Sequence, residues 1–127
     1  MIRKTIFTEN APGAIGYYSQ AIVSNGLVYT AGQIPLDPQN GEVISNNFTQ
    51  QVEQTLTNIE SILKAAGTDL NKSIKLTVFI TNLSKYPELN AVFKEKFKGI
   101  DPPTRSVVEV SALPKGVLVE IDCIATL

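Results

Sequence analysis

The sequence contains no histidine and only one cysteine in 127 residues. Without histidine there is no Ser-His-Asp or Cys-His arrangement, no histidine general base and no histidine-ligated metal site. The single cysteine, Cys123, excludes an intrachain disulfide and a cysteine-rich zinc site, and we expect it to lie in the core. Carboxylates are therefore the natural groups for proton transfer near neutral pH.

The sequence also lacks an excess of charge of one sign. Its 11 basic and 12 acidic residues give a net charge of -1, so a nucleic acid is not expected as the main partner. No apolar run approaches the roughly 20 residues of a membrane helix, and the N-terminus, MIRKTIFTEN, does not resemble a signal peptide. We therefore expect no membrane partner, a cytoplasmic location and one domain over residues 1–127.

The first half of the chain predicts three strands and a helix. The strands are expected at residues 4–7, 18–24 and 27–32, with a hairpin turn at the Asn-Gly pair between the last two. A loop rich in Gly and Pro follows. The helix is indicated by apolar side chains three or four residues apart, with Asn47 as its N-cap and Gly67 at its end. These side chains are Phe48, Val52, Leu56, Ile59 and Leu63.

The second half predicts a strand at residues 74–81, a second helix capped by Ser84, and strands at residues 104–110 and 117–125. Pro87 suits the first turn of this helix and Gly99 its end. Its buried stripe is expected to comprise Tyr86, Leu89, Phe93 and Phe97.

The predicted order is βββαβαββ, an α+β fold with a six-stranded mixed sheet and two helices packed on one face. Strand 74–81 places Phe79 on one side and Ile74, Leu76, Val78 and Ile80 on the other. Both faces of the sheet therefore need cover. A loop or, preferably, another copy of the chain would cover the second face.

Two charged residues lie within predicted strands. Arg105, in DPPTRSVVEV, shares a face with Glu109, and the pattern alone favours a salt bridge to Glu109 or to a neighbouring strand. The alternative is a clamp that grips a ligand carboxylate. Glu120, in GVLVEIDCIATL, is by pattern a solvated residue or a partner for Arg105; the alternative is a carboxylate that positions or activates water.

Three further positions have a structural and a functional interpretation. Asn90 lies beside the buried stripe of the second helix, where its amide either holds a neighbouring backbone segment or faces a site. Tyr18, taken alone, is more typical of packing than of chemistry. Gly32 serves a turn or lets a ligand approach the backbone closely.

Eight segments taken together resemble the reactive intermediate deaminase (RidA-type) family, once named L-PSP endoribonucleases. They are GAIGYYSQA, YTAGQIPLDPQNGE, the helix end LKAAG, KLTVFITNL, LNAVF, PPTRSVVEV, ALPKG and VEIDCIA. The resemblance implies a chorismate-mutase-like fold and a homotrimer with clefts between subunits. It also implies hydrolysis of 2-aminoacrylate-type or 2-aminocrotonate-type enamines and imines to 2-keto acids and ammonia, without a metal or organic cofactor.

The resemblance also implies roles for individual residues. Arg105 matches the arginine that binds the substrate carboxylate, and Glu120 matches the glutamate that holds the hydrolytic water. Tyr18 lines the cleft, Gly32 contacts the ligand through its backbone, and Asn90 matches the helix asparagine. The proton donor remains open between Tyr18, water and the substrate's own carboxylate.

Two positions depart from the family pattern. Val107, in the substrate pocket, replaces a frequent cysteine, and Tyr17 replaces the usual proline before Tyr18. Two other functions stay open: a trimer that binds a keto acid or a partner without catalysis, and a ribonuclease. The ribonuclease is disfavoured because metal-free RNA cleavage commonly uses a pair of histidines.

Overall fold

The protein, for which we analysed a computed structural model, is described over residues 2–127. Its elements confirm the predicted order and the α+β class. They are β1 (Arg3–Ile6), β2 (Ala21–Ser24), β3 (Leu27–Thr30), α1 (Phe48–Ala65), β4 (Ser73–Ile80), α2 (Tyr86–Lys96), β5 (Thr104–Glu109) and β6 (Val119–Thr126). No helix within these residues is both long enough and apolar enough to cross a membrane.

The strands form one six-stranded sheet in the order β1-β2-β3-β6-β4-β5. Only β4 and β5 pair in parallel, and α2 makes the crossover between them. The last strand of the chain, β6, lies between β3 and β4. The chain therefore places Glu120 in the middle of the sheet and Arg105 on its edge.

The core lies between one face of the sheet and the two helices. Four alternate residues of β6 are at most 1 % exposed: Val119, Ile121, Cys123 and Ala125. The apolar stripe of α1 packs in the same cluster, as its spacing predicted. Cys123 belongs to this core, where burial raises the pKa of its thiol to about 11.

Helix α1 begins after Asn47 and ends before Gly67, as predicted. The Asn47 side chain accepts a 2.9 Å hydrogen bond from the Gln50 backbone N–H, and Gly67 adopts a φ of +93° after the last turn.

The prediction that Ser84 caps α2 is wrong. Asn82 accepts the Ser84 N–H at 3.0 Å and opens a short 3₁₀ turn, Leu83–Lys85, which leads directly into α2. Asn82 competes successfully because its carboxamide lies two residues before the N–H that it caps.

Three other predictions need correction. Residues 18–20 precede β2, because the Tyr18 N–H bonds the Gly16 carbonyl in a tight turn, and the Gln20 side chain anchors the segment to the Thr8 and Pro12 backbones. The last strand begins at Val119, after a 3₁₀ turn at Pro114–Gly116. Ile74, expected among the buried residues of β4, is 43 % exposed, because the register between β4 and β6 shifts there.

The second face of the sheet is not covered by any element of residues 2–127. Tyr29 and Val108 are 43 % and 44 % exposed on it, and Phe79 and Ile124 are partly exposed between them. This apolar surface surrounds two carboxylates, Glu120 and Asp122 on β6. We call it the open face.

Candidate active site

Arg105 lies on edge strand β5, opposite Leu76 of β4, and its side chain reaches towards α2. Its Nη2 donates hydrogen bonds to Tyr86 Oη at 2.8 Å and to Asn90 Oδ1 at 2.7 Å. Its guanidinium carbon also lies 5.3 Å from the centre of the Tyr86 ring and 4.8 Å from that of Phe93. Two neutral acceptors and two rings thus orient the cation.

The predicted salt bridge between Arg105 and a strand carboxylate is wrong. Glu109 instead accepts the Leu83 N–H at 2.8 Å, where it holds the turn before α2. Within residues 2–127 the one salt bridge joins Lys64 to Glu60 at 3.9 Å, far from this edge in sequence. The charge of Arg105 is therefore not neutralised by the described chain, and it is available to an external anion.

An open groove of about 700 Å³ runs beside Arg105 along α2. Its apolar lining is Phe93, Phe97, Ile100, Pro102 and Pro103. Lys94 and Lys98 also border it, so every charged side chain that lines the groove is cationic. A small anion with an apolar part suits such a surface.

Tyr86 was predicted in the buried stripe of α2, but it is 39 % exposed. It lies at the first residue of α2, where its hydroxyl meets Arg105 rather than the core. Sequence reasoning missed this contact because helical periodicity groups Tyr86 with Leu89 and Phe93 without showing what faces the helix start.

Glu120 lies on β6 with its side chain on the open face, in a pocket of about 250 Å³. The pocket is also lined by Ile15, Tyr18, Ala31, Gly32, Ile34 and Pro114. Burial, and secondly the negative charge of Asp122, raises the pKa of the Glu120 carboxyl above its ordinary value. A carboxylate with a raised pKa is a stronger base when it is ionised.

Gly32 lies against Glu120. A Cβ added to Gly32 would lie 3.0 Å from Glu120 Cδ and closer still to its Oε2. The backbone of Gly32 does not adopt a left-handed conformation, so the effect of a larger residue here would be to displace the Glu120 side chain, not to strain a turn.

Tyr18 lies in the segment before β2 and is 46 % exposed. Its hydroxyl accepts the Ile15 N–H at 3.1 Å, which closes a short loop over the Glu120 pocket. The neighbouring Tyr17 is fully exposed at the position of the family's proline. Tyr18 thus packs and lines a pocket at the same time.

Buried polar side chains hold the segment that carries Gly32, and the sequence analysis did not identify them. Asn58 of α1 is fully buried and donates to the carbonyls of Ile34 at 3.2 Å and Leu36 at 3.0 Å. Gln51 lies about two turns earlier on the same buried face of α1, where it donates to the Ser45 carbonyl and accepts the Leu118 N–H, both at 2.8 Å. Polar residues on the buried face of a periodic helix were the available signal.

The candidate residues form two groups on opposite faces of the sheet. Arg105 pairs with Leu76 and Glu120 with Phe79 on the same strand, β4, and residues three apart on a strand point to opposite faces. We call Arg105, Asn90 and Tyr86 the arginine half-site, and Glu120, Gly32 and Tyr18 the glutamate half-site. One chain alone does not bring them together.

Val107 lies two residues beyond Arg105 on the helix side of β5, partly buried against the core. Its side chain packs with the cluster beneath the helices. In the part of the chain that the structure describes, no group of three or more cysteines and carboxylates is arranged to hold a metal ion.

The family model described as endoribonuclease L-PSP matches residues 8–127. A RutC family protein from Pyrococcus horikoshii is 48 % identical over 124 residues, which cover 98 % of each chain. A human protein named 2-iminobutanoate/2-iminopropanoate deaminase is 40 % identical over 98 % of this chain and 90 % of its own. The crystal structure of a Rid-family protein of unknown function from Yersinia pestis is 48 % identical, with a TM-score of 0.96 over 99 % of this chain and 100 % of that one.

The chain is a RidA-type member of the L-PSP family. Within this RidA-type fold, the positions that resemble the family's arginine and helix asparagine lie in the arginine half-site. The positions that resemble its glutamate, glycine and cleft tyrosine lie in the glutamate half-site. The family-like positions thus fall into two separate groups. One group presents a positive charge and the other a negative charge.

Proposed function

We propose that this protein hydrolyses small 2-imino acids and their enamine tautomers, of the 2-aminoacrylate and 2-aminocrotonate type, to 2-keto acids and ammonia. The observation that carries the proposal is Arg105, an oriented cation without a carboxylate partner in residues 2–127, at the mouth of an open groove. Its chemistry fits a small carboxylate. The name of the human relative supports this class of substrate.

We propose that the working form is a homotrimer in which each active site joins the arginine half-site of one copy to the glutamate half-site of the next. A head-to-tail contact of this kind closes into a ring and repeats the same site at each interface. It would also cover the open face, which exposes the apolar side chains of Tyr29 and Val108.

In the proposed reaction, protonation of the terminal carbon of the enamine gives the imine, while the nitrogen loses a proton. Water then adds to the imine carbon and the carbon–nitrogen bond breaks. Ammonia departs, and the keto acid is the second product. Arg105 holds the carboxylate next to the reacting carbon, and Glu120 orients the water, accepts one of its protons and passes it to the nitrogen. The remaining proton of the new hydroxyl moves to the nitrogen as the carbon–nitrogen bond breaks. The reaction consumes one water for each ammonia released.

The opposite charges of the two half-sites suit this order of reaction steps. The carboxylate of the substrate compensates Arg105, and the proton that water loses neutralises Glu120. The raised pKa of Glu120 strengthens it as the acceptor of that proton. The site needs orientation and a well-placed water more than a strong catalyst, because imines hydrolyse readily in water.

A coupled assay tests the proposal. A serine or threonine dehydratase generates the enamine, semicarbazide traps the imine that is not hydrolysed, and release of the keto acid is followed with and without this protein. We expect acceleration by the wild type and a loss of about 100-fold in Arg105→Ala. Lys64→Ala, which removes a surface cation from α1, is the matched control and should keep full activity.

Two other outcomes would replace the proposal. Binding of 2-ketobutyrate without any change in the decay of the enamine would make the protein a ligand-binding trimer. Cleavage of RNA that copurifies with the trimer, and that is lost in Arg105→Ala, would favour the activity in the family's older name. Full deaminase activity in Arg105→Ala would remove the carboxylate clamp from the mechanism.

A further inference from the structure

The hydrogen bonds of Arg105 leave it an unusual set of free donors. A guanidinium has five N–H groups, of which Nη2 carries two. Both acceptors found for Arg105, Tyr86 Oη and Asn90 Oδ1, are bonded to Nη2, at 2.8 Å and 2.7 Å. Among residues 2–127, no acceptor is found for the three N–H groups on Nε and Nη1.

This arrangement conflicts with the usual two-bond grip on a carboxylate. A guanidinium presents two forks, Nη1 with Nη2 and Nε with Nη2, and each of them includes Nη2. With both Nη2 hydrogens engaged, neither fork is complete. A carboxylate therefore needs a second donor from another group, or it must displace one of the two acceptors.

Tyr86 offers such a donor. A tyrosine hydroxyl accepts through its oxygen and donates through its hydrogen. The oxygen already accepts from Arg105, whereas no acceptor for the hydrogen is found among residues 2–127. The side chain is 39 % exposed, and its hydroxyl oxygen bonds Arg105, which lines the groove, so a ligand held by Arg105 lies near this hydroxyl.

We propose that the Tyr86 hydroxyl is a further ligand-binding group, which donates to one oxygen of the carboxylate while a free N–H of Arg105 donates to the other. Arg105 and Tyr86 then act as one composite fork. The ligand class is a small 2-imino or 2-keto carboxylate. This inference rests on the proposed binding role of Arg105, but it does not depend on turnover.

The ring of Tyr86 and its hydroxyl are separable, which makes the proposal testable. Tyr86→Phe keeps the ring 5.3 Å from the guanidinium carbon and removes only the hydroxyl. Thr57→Val is the control, because it also removes an exposed hydroxyl, one that bonds the Glu53 carbonyl of α1 at 3.0 Å, away from both half-sites. Light scattering first establishes that both variants assemble like the wild type.

Calorimetry with 2-ketobutyrate and with its neutral amide measures the carboxylate contribution directly. We expect Tyr86→Phe to weaken binding of 2-ketobutyrate about tenfold, to leave binding of the amide unchanged, and to raise KM more than it lowers kcat. Thr57→Val should bind both compounds like the wild type. The measurement remains decisive even if the wild type binds the keto acid without deaminating any imine.

Two results would overturn the proposal. Unchanged binding of 2-ketobutyrate to Tyr86→Phe would show that the hydroxyl only accepts from Arg105. Tighter binding would show that the hydroxyl competes with the ligand for Nη2, so that its removal restores the ordinary fork. If the wild type itself binds no 2-ketobutyrate while it deaminates imines, the hydroxyl has no role in holding this carboxylate.

Discussion

The two half-sites are built in opposite ways. The arginine half-site lies on an edge strand and the exposed start of a helix, and surface side chains hold its cation. The glutamate half-site lies on a central strand, where buried amides of α1 hold the adjoining segment. Arg105 has no carboxylate partner and Glu120 no cationic one within residues 2–127.

This difference separates ligand capture from water activation. A partly exposed cation at an edge meets a diffusing anion without a large desolvation cost, because it keeps part of its contact with water, and its neutral partners already orient it. A half-buried carboxylate beside a second carboxylate keeps a raised pKa, which only a rigid environment maintains. Changes in the first half-site should therefore alter binding, and changes in the second should alter chemistry or stability.

The strongest test of the comparison mixes two inactive variants. Arg105→Ala and Glu120→Gln should each lose about 100-fold in turnover, since each lacks the charged residue of one half-site. After joint unfolding and refolding at equal amounts, about a quarter of the sites in random trimers should contain both intact residues. Coupled-assay activity should rise accordingly. A mixture as inactive as its components would show that the half-sites of two copies do not meet.

The second test compares two asparagines. Asn58→Ala should lower the free energy of unfolding by about 2 kcal/mol, because it leaves the buried Leu36 carbonyl without its side-chain donor, while the Ile34 carbonyl still accepts the Leu36 N–H. Asn90→Ala, at an exposed position, should change stability little while it weakens keto-acid binding. Urea denaturation and calorimetry measure the two effects. Equal stability losses would contradict the proposed division between the half-sites.

The third test adds one methyl group. Gly32→Ala places a Cβ against the Glu120 carboxyl, so kcat should fall about tenfold while keto-acid binding is largely retained. Gly13→Ala is the control, because a Cβ there meets no atom within 4 Å. Parallel kinetics of the two variants check the expectation. Full activity in Gly32→Ala would mean that kcat does not depend on the position of the Glu120 carboxyl.

The smallest expected effect is a shift in pH dependence. Asp122 contributes, after burial, to the raised pKa of Glu120, so Asp122→Asn should lower that pKa. If the Glu120 carboxylate is the base, activity falls as pH drops through its pKa. The acidic limb of the kcat/KM profile should therefore move to lower pH in the variant. An unmoved limb would assign it to another group.

Much of the fold was predictable because local signals agreed with it. The spacing in α1, the Asn47 cap and the Gly67 end were all correct, since each depends on neighbours within a few residues. The prediction for Ser84 was wrong because Asn82 caps the turn before α2, and the start of β2 was wrong because the Tyr18 N–H bonds the Gly16 carbonyl. Both errors come from local hydrogen bonds that compete with the predicted cap or strand.

The site was predictable as a set of residues but not as an arrangement. Family resemblance selected Arg105, Glu120, Tyr18, Gly32 and Asn90, whose roles remain predictions. It did not indicate the hydrogen bond from Arg105 to Tyr86 or the buried support from Asn58. Both depend on contacts between elements that are distant in sequence.

The sequence by itself determined the class of fold, the elements and the chemical groups available, because periodicity, caps and composition act locally. Only the tertiary structure decided that Glu109 does not pair with Arg105 and that the two half-sites face opposite ways. Strand order and register set these relations. They depend on which strands meet across the whole chain, and no short stretch of sequence contains that information.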